Sequence, residues 1–231
     1  MHFAKYLRIQ TLHHKLMLVL SLPMLLWMIS GCYFVWLDLD YIRGDHYQAP
    51  YQAITLKPEH LSFSDITHRY PDATSLDLVM IAGEPFYRLN SKEKRLLVNA
   101  NTNEVQDQIT QTQAEQIAYS VMPTHIRQFE TSLLTKSAPS ELSPRHLPVW
   151  QISFDDRVNS KIYVSATSGK VVARRHDFWR IFDVFWRIHI MDYDDGANVN
   201  NWLLFIAALT ALLATIAGIA WQAKWLKRGR I

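Results

Sequence analysis

His189 stands in an amphipathic stretch of the chain, Asp177–Tyr193, close to the point where a polar region gives way to an apolar one. Phe178, Phe182 and Phe185 precede it at intervals of three and four residues, so one face of a helix carries all four rings. Imidazole binds metals and exchanges protons near neutral pH. A lone histidine on an apolar face is nevertheless most often a hydrogen-bonded core residue, so residue type and spacing leave both roles open.

The same stretch has the pattern of a helix that lies along a membrane surface. Its other face carries the charged residues Arg180, Asp183 and Arg187. Asp183 and Arg187 are four residues apart, within reach of an ion pair on a helix. Trp179 and Trp186 flank the apolar face, and such rings settle at the depth of lipid headgroups. We therefore expect residues 177–193 to form an amphipathic interfacial helix.

Two adjacent histidines, His13 and His14, form the second position of interest. They stand where the first apolar run of the chain begins, and His13 shares a helical face with Met17 and Leu20. Beside Lys15, both histidines also suit the polar edge of a membrane without any further role. Both interpretations stay open on the sequence alone.

The other candidates for chemistry are weaker. The region between the apolar runs contains neither a G-x-S-x-G elbow nor an H-E-x-x-H motif, and its scattered histidines are expected to be solvated: His46, His60, His68, His125, His146 and His176. Cys32 is the only cysteine, which excludes an intramolecular disulfide and a CxxC metal site. Asp192, Asp194 and Asp195 lack the spacing of a calcium loop, and we expect them to cap the helix that follows.

Two uncharged runs, at 16–37 and 202–221, are each long enough to cross about 30 Å of hydrocarbon as a helix. Basic residues flank their outer ends: Lys5, Arg8 and Lys15 before the first, and Lys224, Lys227, Arg228 and Arg230 after the second. By the positive-inside rule, residues 1–15 and 222–231 are cytoplasmic and residues 38–201 lie outside. The net charge of +3 mostly reflects these clusters, so we expect the membrane as a partner and no nucleic acid.

The first run has a second interpretation, because Ile29–Cys32 is similar to a bacterial lipoprotein cleavage box. Tyr33–Leu37 continues the apolar run beyond this point, whereas a processed lipoprotein usually turns polar at once. We therefore expect an uncut anchor and a chain that crosses the membrane twice.

The region between the membrane runs contains an internal repeat. In each copy a proline opens an alternating strand, a charged loop follows, and a second strand ends in a turn: Pro85–Leu89 with Leu96–Val105, and Pro148–Ile152 with Ile162–Val171. Asn103 and Gly169 fall where these turns require positive φ. The sequence thus predicts two copies of a helix followed by a small antiparallel sheet, at about 58–107 and 110–176.

Each predicted copy also has a helix start and an inward face. Ser62 with Asp65 indicates the first helix, and Thr112 with Glu115 has the capping-box spacing for the second. In the second copy, alternation places one set of residues in the core, Trp150, Ile152, Ile162 and Val164, and the other set, Gln151 and Tyr163, on the outer side of a half-buried sheet.

These features together resemble the PepSY domain and the transmembrane proteins that contain it. In the soluble part the resemblance rests on Gln113–Ala118, Leu147–Ile152 and Tyr163–Val171. In the membrane part it rests on Leu12-His13 opening a helix, Trp27-x-x-Ser30-Gly31 within it, and Arg187–Tyr193 before the last helix. The resemblance implies a membrane-anchored α+β fold, in which two transmembrane helices flank a periplasmic domain of two PepSY-like repeats.

The resemblance also carries an expectation about a cofactor. Relatives with four helices include inner-membrane reductases of ferric siderophores, which hold haem on helix histidines. This implies haem b in a bacterial inner membrane, with His13, His14 and His189 as candidate ligands of haem iron. His13 and His189 would lie on opposite sides of the membrane, about 30 Å apart. Each haem would therefore need a partner histidine from a second copy of the chain or from another membrane protein.

Two functions are compatible with these expectations. In the first, the protein transfers electrons across the membrane and reduces periplasmic ferric iron or a ferric siderophore in iron uptake. The sequence has no nicotinamide or flavin fingerprint, so the electron donor would be another protein or a quinol. In the second, the repeat domain is a binding module on a two-helix anchor, without cofactor, and regulates or assembles a partner complex.

Overall fold

The computed structural model describes residues 2–47, 57, 60–92, 95–122 and 129–228. In chain order the elements are α1 (His2–Trp36), α2 (Leu39–Arg43), α3 (Phe63–Arg69), β1 (Ala73–Ile81), β2 (Glu84–Ser91), β3 (Arg95–Asn99), β4 (Val105–Gln106), α4 (Gln111–Val121), β5 (Phe129–Leu134), β6 (Val149–Phe154), β7 (Lys161–Ser165), β8 (Val171–Arg175), α5 (Asp177–His189) and α6 (Trp202–Arg228).

These elements form two compact units. We call residues 1–39 with 181–231 the helix-pair unit, and residues 40–180 the sheet unit. The predicted α+β class is confirmed, because the sheet unit contains two antiparallel sheets and the helix-pair unit contains two long apolar helices.

Helices α1 and α6 are long and apolar enough to cross a membrane, over Arg8–Trp36 and Trp202–Lys227. Both helices extend beyond the predicted spans of 16–37 and 202–221 at the ends of the chain. The apolar run marks only the part of a helix that suits hydrocarbon, whereas backbone hydrogen bonding continues through the polar residues that flank it.

Sheet A has the strand order β1-β2-β3-β4, and sheet B has the order β5-β6-β7-β8. Each strand pairs antiparallel with its neighbours. Leu89 lies opposite Leu96 in sheet A, and Ile152 lies opposite Ile162 in sheet B. The pairing of β2 with β3 therefore matches the pairing of β6 with β7, residue for residue.

The turns and hydrogen bonds of the two sheets match as well. Asn103 and Gly169 have φ values of 62° and 65°, as predicted for the turns that follow β3 and β7. Equivalent backbone bonds occur in both copies: Ala100 N–H to Pro85 carbonyl and Ala166 N–H to Pro148 carbonyl, Asn103 N–H to Asn99 carbonyl and Gly169 N–H to Ser165 carbonyl, Leu61 N–H to Ala100 carbonyl and Ile109 N–H to Ala166 carbonyl. In each copy one aromatic side chain also donates to a backbone carbonyl. The Tyr87 hydroxyl donates to the Leu61 carbonyl at 2.6 Å, and the Trp150 indole donates to the Ile109 carbonyl at 3.1 Å.

Each copy begins with a capped helix, but one predicted cap is wrong. Ser62 caps α3 with Asp65 in a reciprocal capping box, as predicted. Thr112 does not cap α4; Thr110 does, with Gln113 as its partner. The helix begins one residue after Thr110, so the capping hydroxyl belongs to the last residue with extended backbone, and Thr112 already lies inside the first turn.

The sheet unit is layered, with α3 on one face of sheet A and α4 between the two sheets. Ile66 of α3 packs on the Tyr87, Leu89, Leu96 and Val98 face of sheet A. Ala114 and Ala118 of α4 lie in a larger core that both sheets line. That core contains Phe86 and Leu97 of sheet A with Ile152, Ile162 and Val164 of sheet B, and Trp150 packs against it, so the predicted core face is confirmed.

Tyr163 was expected on the outer side of sheet B, and this prediction is wrong. Its side chain is fully buried with Leu142, Val149 and Ala173. The segment between β5 and β6 folds over this second face, and the Tyr163 hydroxyl donates to Glu141 at 2.6 Å. Sheet B is therefore covered on both faces, which strand alternation alone does not reveal.

His176 is the exception among the histidines expected to be solvated. Its ring is fully buried among Tyr41, Tyr47 and Phe178, because α2 and the residues after it pack over this position. The Nε2–H group of His176 donates to the carbonyl of Tyr41 at 2.9 Å. The other members of that set are exposed or half-buried where they are described, and His125 lies outside the described residues.

Helix α5 ends at His189, four residues before the predicted end at Tyr193. Met191 adopts a positive φ of 53°, with its N–H bonded to the Ile188 carbonyl and the N–H of Asp192 bonded to the Arg187 carbonyl. These two bonds form a Schellman motif, which closes a helix. The motif usually uses glycine, so a methionine at this position gives no helix-end signal in the sequence.

Candidate functional site

The candidate site lies in the helix-pair unit, where α1 and α6 pack side by side. Ala214 and Ala217 of α6 are buried, as is Leu20 of α1. Small residues allow two helix backbones to approach closely in a membrane protein. The Ser30-Gly31 pair of α1 also consists of small residues, but only Ser30 is buried, and a side chain at Gly31 would meet open space.

His189 is attached to α1 by two short hydrogen bonds. The indole N–H of Trp27 donates to the carbonyl of His189 at 2.7 Å. The Ser30 hydroxyl lies 2.7 Å from Nδ1 of the His189 ring. The end of α5 is thus fixed to one turn of α1, which explains why Trp27 and Ser30 are three residues apart.

The proton positions at Ser30 and His189 follow from these contacts. The Ser30 hydroxyl has a single proton and lies 2.8 Å from the carbonyl of Leu26, which can only accept a hydrogen bond. The hydroxyl oxygen therefore accepts from His189, and the ring proton is on Nδ1. Nε2 is left with a free lone pair, the form in which histidine binds a metal.

Aromatic rings surround His189 on the α1 side. The ring of Phe34 lies edge to face with it at 5.3 Å between centroids, and Trp27 lies at 6.4 Å. Further along α5, Phe182 packs on Phe34 at 5.0 Å and Phe185 packs on Tyr33 at 4.9 Å. This apolar setting lowers the pKa of His189 through burial, so the ring is neutral near pH 7.

These contacts change the expected orientation of α5. Phe182 and Phe185 contact α1, and the apolar residues that α5 leaves exposed are Ile181 and Val184. On the polar side, Arg187 pairs with Asp183 at 2.9 Å, as the spacing predicted. The apolar face inferred from the sequence is therefore used for packing within the helix-pair unit.

His13 is held against α6 in a comparable way. Its Nδ1 lies 2.9 Å from the carbonyl of Ala214, and a carbonyl only accepts, so Nδ1–H is the donor. The ring lies on Gly218, where an added Cβ would come within 2.9 Å of a ring carbon. His13 lines a groove of about 540 Å³ with apolar residues of both helices, among them Met17 and Leu20.

His14 takes a different position from His13. It is exposed and lies edge to face with Trp221 at 5.5 Å. The His13 and His14 rings are 6.1 Å apart, but consecutive helix residues point about 100° away from each other, so both cannot bind opposite sides of one iron. Among the described residues, no other histidine contacts His189.

The fit to haem is therefore partial. His189 and His13 each have Nδ1 bound to a protein group and Nε2 beside apolar surface, as an axial ligand requires. Among the residues whose side chains are described, each site has one such ligand from one chain. A complete site with two histidines would need a second polypeptide.

The acidic loop after α5 is structural. Asp192 accepts from the N–H of Asn198 at 2.9 Å, and Asn201 accepts from the N–H of Leu204 at 2.8 Å in the first turn of α6. The cap of α6 is thus Asn201, whereas Asp192, Asp194 and Asp195 were predicted to cap it. The described residues contain no cluster of three or more His, Cys, Asp or Glu side chains that could hold a metal ion.

The sequence identified His189 and His13 but missed what holds them. No role was predicted from the sequence for the Ser30 hydroxyl or for Gly218. Neither contact is local, because Ser30 and His189 are separated by most of the chain. Comparison of the chain with protein-family models, curated proteins and solved structures finds no match.

Proposed function

We propose that this chain is a PepSY protein of a bacterial inner membrane that transfers electrons outward through haem and reduces periplasmic ferric iron or a ferric siderophore. The observation that carries the proposal is the hydrogen bond between Ser30 and Nδ1 of His189. It fixes the ring as the tautomer that ligates iron, in an aromatic setting that keeps it neutral.

The residues of the site have separate tasks in this proposal. His189 would bind haem iron through Nε2, and Ser30 would hold the orientation of the ring. Phe34 and Trp27 would exclude water from the ligand side, as burial is one of the factors that set a haem potential. Bound haem supplies reversible one-electron chemistry.

The second ligand at each site would come from another polypeptide, most simply from a second copy of this chain. A symmetric dimer places the same residue of both copies at one interface. His189 with the partner's His189 would complete an outer site, and His13 or His14 with its counterpart an inner site.

The first test of this proposal is a spectrum of the detergent-purified protein before and after dithionite. A Soret band that shifts on reduction is expected. His189→Ala should lower the haem content to about half, because one of two sites loses its ligand, and should abolish reduction of ferric iron. His13→Ala with His14→Ala should leave the outer haem bound but stop its reduction from the cytoplasmic side.

His68→Ala, a change at an exposed histidine of the sheet unit, is the matched control and should keep full haem content. Full haem and full iron reduction in His189→Ala would refute the role of this residue.

A second candidate is a membrane-anchored PepSY module that binds a partner complex without cofactor. It is favoured by the observation that, within the part of the chain that the structure describes, each histidine site has one suitably placed ligand. The same spectrum separates the two functions, because a protein without Soret absorbance in its native membrane leaves only the binding module.

A further inference from the structure

A cleft of about 670 Å³ opens in the sheet unit between the end of α3 and the face of sheet A. The segment Arg69–Thr74 forms one wall, and Ser91 and Lys92 at the end of β2 form the other. Leu89 and Leu96 form the floor. A cavity of this size suits a small organic molecule.

The second copy of the repeat explains why the cleft is open. By the matched capping boxes, Tyr70, Ala73 and Thr74 correspond to Ala118, Val121 and Met122 of α4. Those three residues of the second copy are buried against sheet B. In the first copy Pro71 ends the helix one turn earlier, because proline cannot continue it, and the chain turns away into β1.

The floor of the cleft differs accordingly from its counterpart. Leu89 and Leu96 remain 3% and 6% exposed, whereas the corresponding Ile152 and Ile162 are fully buried. Both floor leucines are thus nearly covered, and the accessible apolar surface of the cleft comes from Tyr70, Pro71 and Ala73 in its wall. An apolar body of a ligand would lie against this wall.

The rim of the cleft is cationic. Arg69 and Lys92 line it together with one acidic residue, Asp72. Arg69 donates to the neutral amide of Asn103, and neither cation forms an ion pair with another of the described residues. Two cations against one acid beside an apolar wall match a molecule that combines an anionic group with an apolar body.

We infer that this cleft is a binding site for a small organic anion with an aromatic body, with Arg69 and Lys92 on the anionic group and the wall of Tyr70, Pro71 and Ala73 against the ring. The inference is independent of haem binding at His189. It applies equally to an electron-transfer protein and to a cofactor-free binding module.

The test is calorimetric titration of the full chain in lipid nanodiscs with 2-naphthoate, with titration of empty nanodiscs as the baseline. Saturable binding is expected. Arg69→Ala with Lys92→Ala should weaken it by about tenfold or more, since hydrogen bonds to charged groups are lost. Ala73→Phe should abolish it by filling the cleft while keeping both cations.

Lys136→Ala with Lys170→Ala is the matched control, because it removes two exposed cations elsewhere on the sheet unit. It should bind 2-naphthoate like the natural chain. Far-ultraviolet circular dichroism establishes that each variant is folded. The inference is overturned if the natural chain shows no saturable binding, or if folded Arg69→Ala/Lys92→Ala and Ala73→Phe variants bind as tightly as it does.

Discussion

Two histidines in the helix-pair unit each donate through Nδ1, to different acceptors. A serine hydroxyl accepts from His189 and a backbone carbonyl accepts from His13. Each contact is decided by counting protons, because a carbonyl has none and the single proton of Ser30 lies toward Leu26. Whether a histidine can bind a metal therefore depends on its neighbours as much as on the histidine itself.

His176 in the sheet unit represents the opposite case, a histidine that is buried without a partner on one side. Its Nδ1 atom has no hydrogen bond among the described residues. Burial lowers the pKa of His176 below its ordinary value of 6.5; Arg180 acts in the same direction, and the Tyr41 carbonyl, Asp156 and Asp177 oppose it. Protonation of the ring is thus easier in the unfolded chain than in the folded one.

This difference predicts a loss of stability on acidification. The pKa of His176 in the folded chain lies below the unfolded value of 6.5. The contribution of His176 to the free energy of unfolding is therefore fully present above pH 6.5. It is lost as pH falls below 6.5 through the folded pKa. The free energy of unfolding of the full chain, measured by chemical denaturation, should fall from pH 7 to pH 5.

His176→Phe should be less stable at pH 7, since the bond to the Tyr41 carbonyl is lost, but should show a flatter pH profile. His46 contributes in the same direction as His176, because burial lowers its pKa as well, so the flattening is partial. His68→Ala, at an exposed position, should keep the slope of the natural chain. An unchanged slope in His176→Phe would contradict the assignment.

At the scale of elements, the start of α4 gives a sharp test of helix capping. The Thr110 side chain accepts from the N–H of Gln113 at 3.2 Å, and Gln113 returns a bond to the N–H of Thr110 at 2.9 Å. Thr110→Ala should therefore lower the free energy of unfolding by about 1 kcal/mol. Thr112→Ala, at an exposed position inside the first turn, should change it by less than about 0.5 kcal/mol.

The two threonine variants differ only in position, so their difference measures the cap itself. Equal effects, or a larger loss in Thr112→Ala, would show that the helix begins later than the structure places it. Denaturation of both variants under one condition is sufficient.

The elements of the sheet unit were largely predictable because their signals are local. Alternation identified the strands and inward-facing Ile152 and Ile162, and positive-φ residues marked the turns. The errors have non-local causes. Tyr163 is buried because a distant loop folds over it, and His176 is buried because α2 packs on it. No periodicity in the strand or helix concerned carries that information.

The candidate site likewise has one feature with a local signal and one with a non-local cause. The position of His189 on an apolar helix face is a local property, and the sequence identified it. Its contact with Ser30 depends on how α5 meets α1, which spacing along the chain does not encode. The residues that orient a metal-binding histidine are for this reason harder to predict than the histidine itself.

At the scale of the whole molecule, the sheet unit lies in the sequence between two helices that could cross a membrane. Both membrane runs have their basic residues at the ends of the chain, which is the pattern expected when both ends face the cytoplasm. If both helices cross the membrane and both ends face the cytoplasm, the sheet unit would lie on the other side. The proposed function depends on this arrangement, because outward electron transfer requires His13 and His189 on opposite sides.

Fusions to alkaline phosphatase, which is active only after export, test the arrangement directly. Fusion after Gly83, in the turn between β1 and β2, should be active, because the preceding chain contains one crossing and the positive-inside rule sets its direction. Fusion after Gly229 should be inactive, since the second helix returns the chain to the cytoplasm. An active fusion after Gly229 with an inactive one after Gly83 would reverse the topology, place His13 on the outer side and remove the basis for an outward path ending at His189.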